Sequence, residues 1–405
     1  MSETNASTMR RVLTARGLRA FSDGYVSLLL PVYLITLGFT PFQVGVIATG
    51  TLLGSAALSL IVGLHAHRVG YRTLLLAAAA LMAATGFAFA AVRDFWPLLV
   101  IAVVGTLNPS SGDVSVFLPL EQAVLAHVAS DRERTAAFAR YSVTGALAAA
   151  IGALFAAVPD LLVHGGYATS KSAFEAMFVL YGLIGLGTAW IYAKLPARLT
   201  AQEHAPAAPL GPSKKIVLTL AGLFSLDAFG GGFVVQSMLA LWLFERFELS
   251  TTVAGTIFFW TGILSAVSYL VAVRIAKRIG LVNTMVFTHL PANLMLVITP
   301  FVPHLGWVIV LLLARSALSQ MDVPTRGSYV MAVVTPAERA AAASITSVPR
   351  SLAASVSPLL AGYLLGATVF GWPLLIAGVL KIAYDVSLLA MFRTVRPPEE
   401  AKATV

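Results

Sequence analysis

Gly63-Leu64-His65-Ala66-His67-Arg68-Val69-Gly70 returns 210 residues later as Val273-Arg274-Ile275-Ala276-Lys277-Arg278-Ile279-Gly280, and both copies contain Ala-basic-Arg-x-Gly. The correspondence extends in both directions. Glu133-Arg134-Thr135-Ala136-Ala137 meets Glu338-Arg339-Ala340-Ala341-Ala342 at an offset of 205, and Pro119 falls on Pro324 at the same offset. Ser22-Asp23-Gly24 meets Leu226-Asp227-Ala228 at an offset of 204. Three landmarks in order, at nearly one offset, indicate a duplicated unit, and weak internal symmetry of this kind marks parallel repeats in membrane proteins.

The 405 residues are 58% hydrophobic and 11% charged, against about 25% charged residues in soluble domains. Apolar runs of about 20 residues, enough to cross the hydrocarbon as a helix, recur throughout at 12–38, 43–65, 73–92, 97–127, 135–158, 173–195, 216–245, 251–273, 281–303, 305–334, 340–366 and 370–393. The longest polar interruption, Pro196 to Lys215, separates a bundle over 1–195 from one over 216–405, with 196–215 as a cytoplasmic linker. The expected fold is an all-α integral membrane protein with twelve transmembrane helices in two pseudo-symmetric six-helix bundles.

Apolar length alone also allows eleven or thirteen spans, and the basic residues decide between them. With the amino terminus inside, the inner segments hold 19 of the 27 lysines and arginines, the outer loops hold only Arg93, Lys171 and Arg246, and five fall within spans. That bias satisfies the positive-inside rule, so both termini are expected in the cytoplasm of a multi-pass protein of the cell (inner) membrane. Topology therefore explains the net charge of +9, and nucleic acid is not an expected partner. Met1 to Arg11 is polar and lacks a short apolar core followed by a cleavage site, so no removable signal peptide is expected. The chain has no cysteine, which excludes disulfides and thiolate chemistry.

At the first loop quoted above the chain resembles the major facilitator superfamily of secondary transporters. That family carries roughly G-x-L-x-D-R-x-G-R-R between spans 2 and 3; here Gly63, Arg68, Gly70 and Arg72 match, His67 replaces the aspartate and His65 the leucine. The resemblance implies a gating role for Gly63, His67, Arg68, Gly70 and Arg72, and for Arg278 and Gly280 in the second copy. Drug–proton antiporters of the family also carry G-x-x-x-G-P-x-x-G-G in span 5. Here Gly145 and Gly152 stand without an intervening proline, and Ser357-Pro358-Leu359-Leu360-Ala361-Gly362 in span 11 is a partial counterpart.

In the family plan, spans 1, 4, 7 and 10 line a central cavity, and in this chain all four carry carboxylates. Residues three or four apart share a helix face. Asp23 has Arg19 four before it, Asp322 has Arg326 four after it, and Asp385 has Lys381 four before it, so an intrahelical ion pair is the plain expectation for each. Asp227 has only Leu223, Phe224, Gly230 and Gly231 at those positions, and Asp113 only Pro109, Ser110, Val116 and Phe117. A desolvated carboxylate without a cation is more easily protonated. Asp113 and Asp227 lead the proton-coupling candidates, ahead of Asp23 and Asp322; the alternative for each is an arginine from another helix, such as Arg315 for Asp113.

Arg315, Asp322 and Arg326 lie at i, i+7 and i+11, on one face with one positive charge in excess. That face suits an anionic group, unless Arg315 neutralises Asp113 and Arg326 neutralises Glu121. Glu121 lies some 24 residues into span 4, where a gate contact suits it better than a substrate contact. Asn108-Pro109-Ser110-Ser111-Gly112-Asp113 and Gly230-Gly231-Gly232 weaken helical bonding, which is tolerated where backbone lines a cavity or is buried in protein; close packing through small residues is the other reading. Asn108, Phe21, Tyr25, Phe229, Gln236 and Gln320 complete the candidate cavity lining, beside Arg315 and Arg326.

These residues point to a secondary active transporter moving a small organic molecule by alternating access, with proton-coupled efflux by an antiporter favoured. A uniporter or importer of an anionic metabolite is the alternative, and a non-transporting membrane receptor a third. The expected partners are the substrate, protons and the lipid bilayer, and the chain is expected to act as a monomer. Neither H-E-x-x-H nor G-x-S-x-G occurs and the seven histidines are scattered, so no enzymatic site, metal or cofactor is expected.

Overall fold

The computed structural model describes residues 3–110, 115–129, 131–196, 210–335 and 338–395. Among these every regular element is helical. In chain order they are α1 (Glu3–Thr36), α2 (Pro41–Val69), α3 (Tyr71–Ala91), α4 (Phe95–Val104), α5 (Phe117–Val128), α6 (Asp131–Phe155), α7 (Val158–His164), α8 (Ser170–Ala193), α9 (Lys214–Gly232), α10 (Gln236–Phe247), α11 (Thr251–Ile279), α12 (Leu281–Ile298), α13 (Leu305–Ser319), α14 (Asp322–Val333), α15 (Arg339–Ala367) and α16 (Trp372–Phe392). Apart from α7, which extends past the expected end of span 5, they fall on the twelve expected spans. Ten stretches are long and apolar enough to cross a membrane, and α4 and α5 supply shorter apolar helices.

Three spans are broken, and local sequence accounts for each break. Span 4 stops at Gly105, where Asn108 turns its Oδ1 back to accept from the Ser110 backbone N–H and hydroxyl at 3.0 and 2.7 Å. Such a local side-chain bond competes with the helix. Span 7 ends its first half in the glycine triplet, with Phe233 N–H and Val234 N–H bonded three residues back to Gly230 and Gly231. Span 10 breaks at Gln320 and Met321 and restarts with Pro324 in the first turn of α14, where a missing N–H costs nothing.

The Gly230–Gly232 triplet both weakens its helix and packs closely. The Ser357 hydroxyl donates to the freed carbonyl of Phe229 at 2.6 Å, and a Cβ at Gly232 would stand 2.2 Å from the Ala354 carbonyl oxygen. The repeat glycines also share one conformation. Gly70 caps α3 at φ 81° and ψ 142°, and Gly280 caps α12 at φ 86° and ψ 164°, a region essentially confined to glycine.

The described chain forms two compact units: residues up to 203 together with 235–262, and 204–234 together with 263 onward. The first therefore takes in α10 and the start of α11, which chain order places in the second repeat. There the Pro109 carbonyl accepts from Ser237 N–H at 3.0 Å. Asp160 Oδ2 accepts from the Thr252 backbone and hydroxyl at 3.1 and 3.2 Å. In the second unit Val217, Leu220, Phe224, Met285, Tyr329, Tyr384 and Leu388 form the apolar core, directly beside the charged residues described next.

Candidate functional site

Asp227, on α9 of the second unit, is 3% exposed and holds two cations from other helices. Its Oδ1 accepts from Lys381 Nζ of α16 at 2.6 Å, and its Oδ2 from Arg326 Nη2 of α14 at 2.8 Å. Arg326 also bonds Asp322 one turn earlier on α14. His289 of α12 presents Nε2 to Asp227 Oδ1 at 3.9 Å and Nδ1 to Asp385 Oδ1 at 2.9 Å. Asn293 Nδ2 donates to Asp385 Oδ2 at 2.8 Å. Buried charges survive only when paired and hydrogen-bonded, and here four helices pool three carboxylates, two cations and one imidazole.

Arg315 of α13 is half-buried and within electrostatic reach of Asp227. Among the described residues no side chain bonds it, and its Nε is buried without a partner. One turn on, Gln320 Oε1 accepts from Tyr269 OH at 3.0 Å.

The first unit holds a different cluster. Glu121 of α5 is fully buried and bonds Arg19 of α1. Tyr141 OH donates to Glu121 Oε2 at 2.6 Å and Tyr192 OH to Oε1 at 2.5 Å. The Arg19 guanidinium lies over the Phe117 ring at 4.0 Å, a cation–π contact that strengthens away from water. Asp23, one turn above Arg19, is 6% exposed. It feels both Arg16 and Arg19 electrostatically but makes no ion pair with either.

The sequence profile of the Major Facilitator Superfamily matches residues 12–319 and 220–404. The chain belongs to this family. The chain is 24% identical over 410 residues to an uncharacterized membrane protein of Saccharomyces cerevisiae, covering 93% of this chain and 92% of that one. Its fold is similar to that of a bacterial homolog of the human lysosomal transporter Spinster, with TM-score 0.71, 13% identity and 96% of each chain covered. It is also similar to the nucleoside transporter NupG, with TM-score 0.71 and 13% identity over 95% of this chain and 99% of that one. The human organic anion transporter MFSD10 gives TM-score 0.66 and 16% identity over 96% of this chain and 100% of that one. As a superfamily member the protein is a multi-pass membrane transporter and not an enzyme.

Against this superfamily frame the sequence expectations divide. The Asp322–Arg326 pair forms as its spacing suggested. Three other pairings are corrected. Lys381 leaves Asp385 for Asp227, and Asp385 is satisfied by His289 and Asn293. Arg19 leaves Asp23 for Glu121. Arg326, offered as a partner for Glu121, pairs with Asp227 and Asp322. The physical reason is common to all three: a carboxylate inside a bundle is reached from neighbouring helices as readily as from its own next turn. Asp227, which has no cation three or four residues away on its own helix, is held by Arg326 and Lys381, so the expectation of a carboxylate without a cation is corrected as well.

Glu121, expected at a gate, is sealed inside the first unit by Arg19 and two tyrosines. Tyr25 is fully buried with its hydroxyl on the Met177 carbonyl at 3.3 Å, so it is core and not cavity lining. Phe21 packs edge-on against Tyr25 and Phe155. Phe229 packs edge-on against Phe233, Gln236 begins α10 half-buried, and Asn108 is buried in its turn. Arg72 donates to the Ala193 carbonyl at 2.8 Å, and Arg278 is exposed in the last turn of α11. Asp113 and the side chains at Gly63, His67 and Arg68 lie outside the described residues.

His289, Asn293, Lys381 and Asp385 were missed as site residues. Their signal was a histidine and an asparagine four apart in span 9, and a lysine and an aspartate four apart in span 12, all inside apolar runs. Ionisable residues within a span are functional candidates by default, and that rule applied to every span would have found three of the four.

Proposed function

We propose that the protein exchanges a small organic molecule for protons by alternating access, with Asp227 as the coupling carboxylate. The observation that carries this reading is the double hold on Asp227 by Lys381 and Arg326, which opposes protonation until a change of state draws the cations away. Protonation of Asp227 removes the anion that both cations share, so α9, α14 and α16 lose their common tie at one step. A change that a ligand drives must come from its differential interaction with two states, and this tie supplies one. Asp23, buried and without an ion pair among the described residues, is the second carboxylate for the same role. Export is the direction proposed, by a monomer with both termini in the cytoplasm of the cell membrane.

The test is compound accumulation in an efflux-deficient bacterium expressing wild type or Asp227→Asn, with and without an uncoupler. Reduced accumulation that both the uncoupler and Asp227→Asn abolish supports proton-driven export. Increased accumulation reverses the direction, and flux that survives both removes Asp227 from coupling.

A second reading draws on Arg315, the cation left without a bonding partner among the described residues of this cluster. Arginine suits carboxylate and phosphate groups through its planar donor fork, so a uniporter or importer of an anionic metabolite would use it as the anchor. Flux that depends on voltage but not on pH, and that falls in Arg315→Gln, would favour this alternative.

A further inference from the structure

The Asp227 network contains a histidine placed between two carboxylates, and the family plan of a cavity lined by spans 1, 4, 7 and 10 does not call for it. We propose that His289 is the proton-exchange residue of this network, taking a proton on Nε2 and passing it to Asp227 Oδ1, while Asp385 and Asn293 fix the tautomer. The proposal rests on the reading of Asp227 as the coupling carboxylate.

The contact with Asp385 favours one placement of the ring hydrogen. Nδ1 lies 2.9 Å from Asp385 Oδ1. A carboxylate oxygen at that distance needs a donor, so Nδ1 bears the proton. Asn293 Nδ2 stands 3.1 Å from Nδ1 and 2.8 Å from Asp385 Oδ2, and its N–H completes the hold on the carboxylate. The neutral ring then presents a bare Nε2 toward Asp227 Oδ1, 3.9 Å away. The nitrogen not engaged by an orienting partner is the one free for chemistry.

A proton captured at Nε2 gives an imidazolium between Asp385 and Asp227. Its transfer breaks the Nε2–H bond and makes an O–H bond on Asp227 Oδ1. The ring returns to its neutral form with Nδ1–H retained, and Lys381 Nζ and Arg326 Nη2 lose their shared anion. The groups against the ring are Asp227 from α9, Asp385 and the edge-on Tyr384 from α16, and Asn293 from its own helix; the charged groups around Asp227 are Lys381 from α16 and Arg326, with its partner Asp322, from α14, and Arg315 of α13 is in electrostatic reach of Asp227. With the ring neutral, three carboxylates face Lys381, Arg326 and Arg315 in charge balance. Each proton taken therefore adds one positive charge to the network.

The experiment uses the full chain labelled with 15N-histidine, with the His289 signals assigned by their loss in His289→Gln. At alkaline pH the spectrum should show Nδ1 protonated and Nε2 bare, and lowering the pH should add the proton at Nε2. Asp227→Asn should move that titration to lower pH, and Asp385→Asn should abolish the preference for Nδ1–H. An Nε2–H tautomer at alkaline pH, or a titration that Asp227→Asn leaves in place, overturns the proposal. In vesicles carrying a pH gradient and a compound that the wild type exports, His289→Gln should lose the wild-type pH profile while still exchanging compound for compound. If His289→Gln keeps the wild-type profile and Asp227→Asn loses it, the relay is wrong and the coupling carboxylate stands. A wild type without gradient-driven flux removes the coupling reading itself.

Discussion

At the repeat offset of 205, Glu121 falls on Arg326, and the two units place a buried bridge at this matching position with its sign reversed. In the first, span 1 supplies the cation Arg19 and span 4 the anion Glu121. In the second, span 7 supplies the anion Asp227 and span 10 the cation Arg326. What surrounds each bridge then separates their roles. Glu121 is closed by two phenols and an arginine over Phe117, groups that keep one protonation state at physiological pH. Asp227 faces a lysine and a histidine, with two further aspartates close by. Duplication supplied one scaffold twice; the different partners are the basis for proposing that the first bridge is a structural tie and the second a site of proton exchange.

Glu121→Ala is the harshest test of this contrast. Removing one partner of a buried ion pair strands the other charge and costs about 3–5 kcal/mol. We expect a large fall in the thermal midpoint of the detergent-solubilised protein, with partial recovery in Glu121→Gln, whose remaining carbonyl oxygen can still accept from one of the two tyrosines. A Glu121→Ala variant as stable as wild type but deficient in proton coupling would break the assignment of the first bridge to structure.

Asp227→Asn should behave in the opposite way. The amide keeps the volume and an acceptor for Lys381 or Arg326, so the fold should survive, while gradient-driven flux falls at least about tenfold, equivalent to about 1.4 kcal/mol. Compound-for-compound exchange should persist, because it needs no net proton movement. Loss of both activities with a normal thermal midpoint would place Asp227 in substrate binding instead.

The twelve spans and the duplicated halves were legible because hydropathy, basic-residue bias and the repeat landmarks are one-dimensional signals. The breaks in spans 4 and 7 were legible from Asn108-Pro109 and the glycine triplet for the same reason. The charge pairing was not. Helical spacing reports only neighbours on one helix, so it gave Asp322–Arg326 and misassigned Lys381 and Arg19, whose partners lie 154 and 102 residues away. The association of residues 235–262 with the first unit was equally hidden. Chain order says which repeat a half-helix descends from and nothing about the surface it packs on.

Where sequence repeat and conformation agree, the comparison can be sharpened at smaller cost. Gly70 and Gly280 begin α3 and α12 in the same glycine-only conformation. An alanine at either should cost about 1–3 kcal/mol, and the two variants should lose stability to a similar extent. A loss at one position alone would show that the two loops, alike in sequence, bear different strain.

The smallest effect is expected at Glu338, just before α15, where the second unit repeats the Glu133-Arg134 landmark. Its carboxylate accepts from the Gly211 backbone and from the Ser213 and Thr335 hydroxyls, the latter two at 2.8 and 2.6 Å. These donors, Thr335 foremost, hold its pKa down from the ordinary 4.5 to about 2. A carboxyl depressed on folding contributes stability that is present above its unfolded pKa and lost as pH falls through the folded one. Glu338→Gln should therefore lower the thermal midpoint slightly at neutral pH, and the difference from wild type should shrink only as pH falls from about 4.5 toward 2. The pH profile of transport near neutrality should be untouched, since Glu338 stays ionised throughout that range. A shift of that profile in Glu338→Gln would mean that the Asp227 network is not the sole origin of the protein's response to protons.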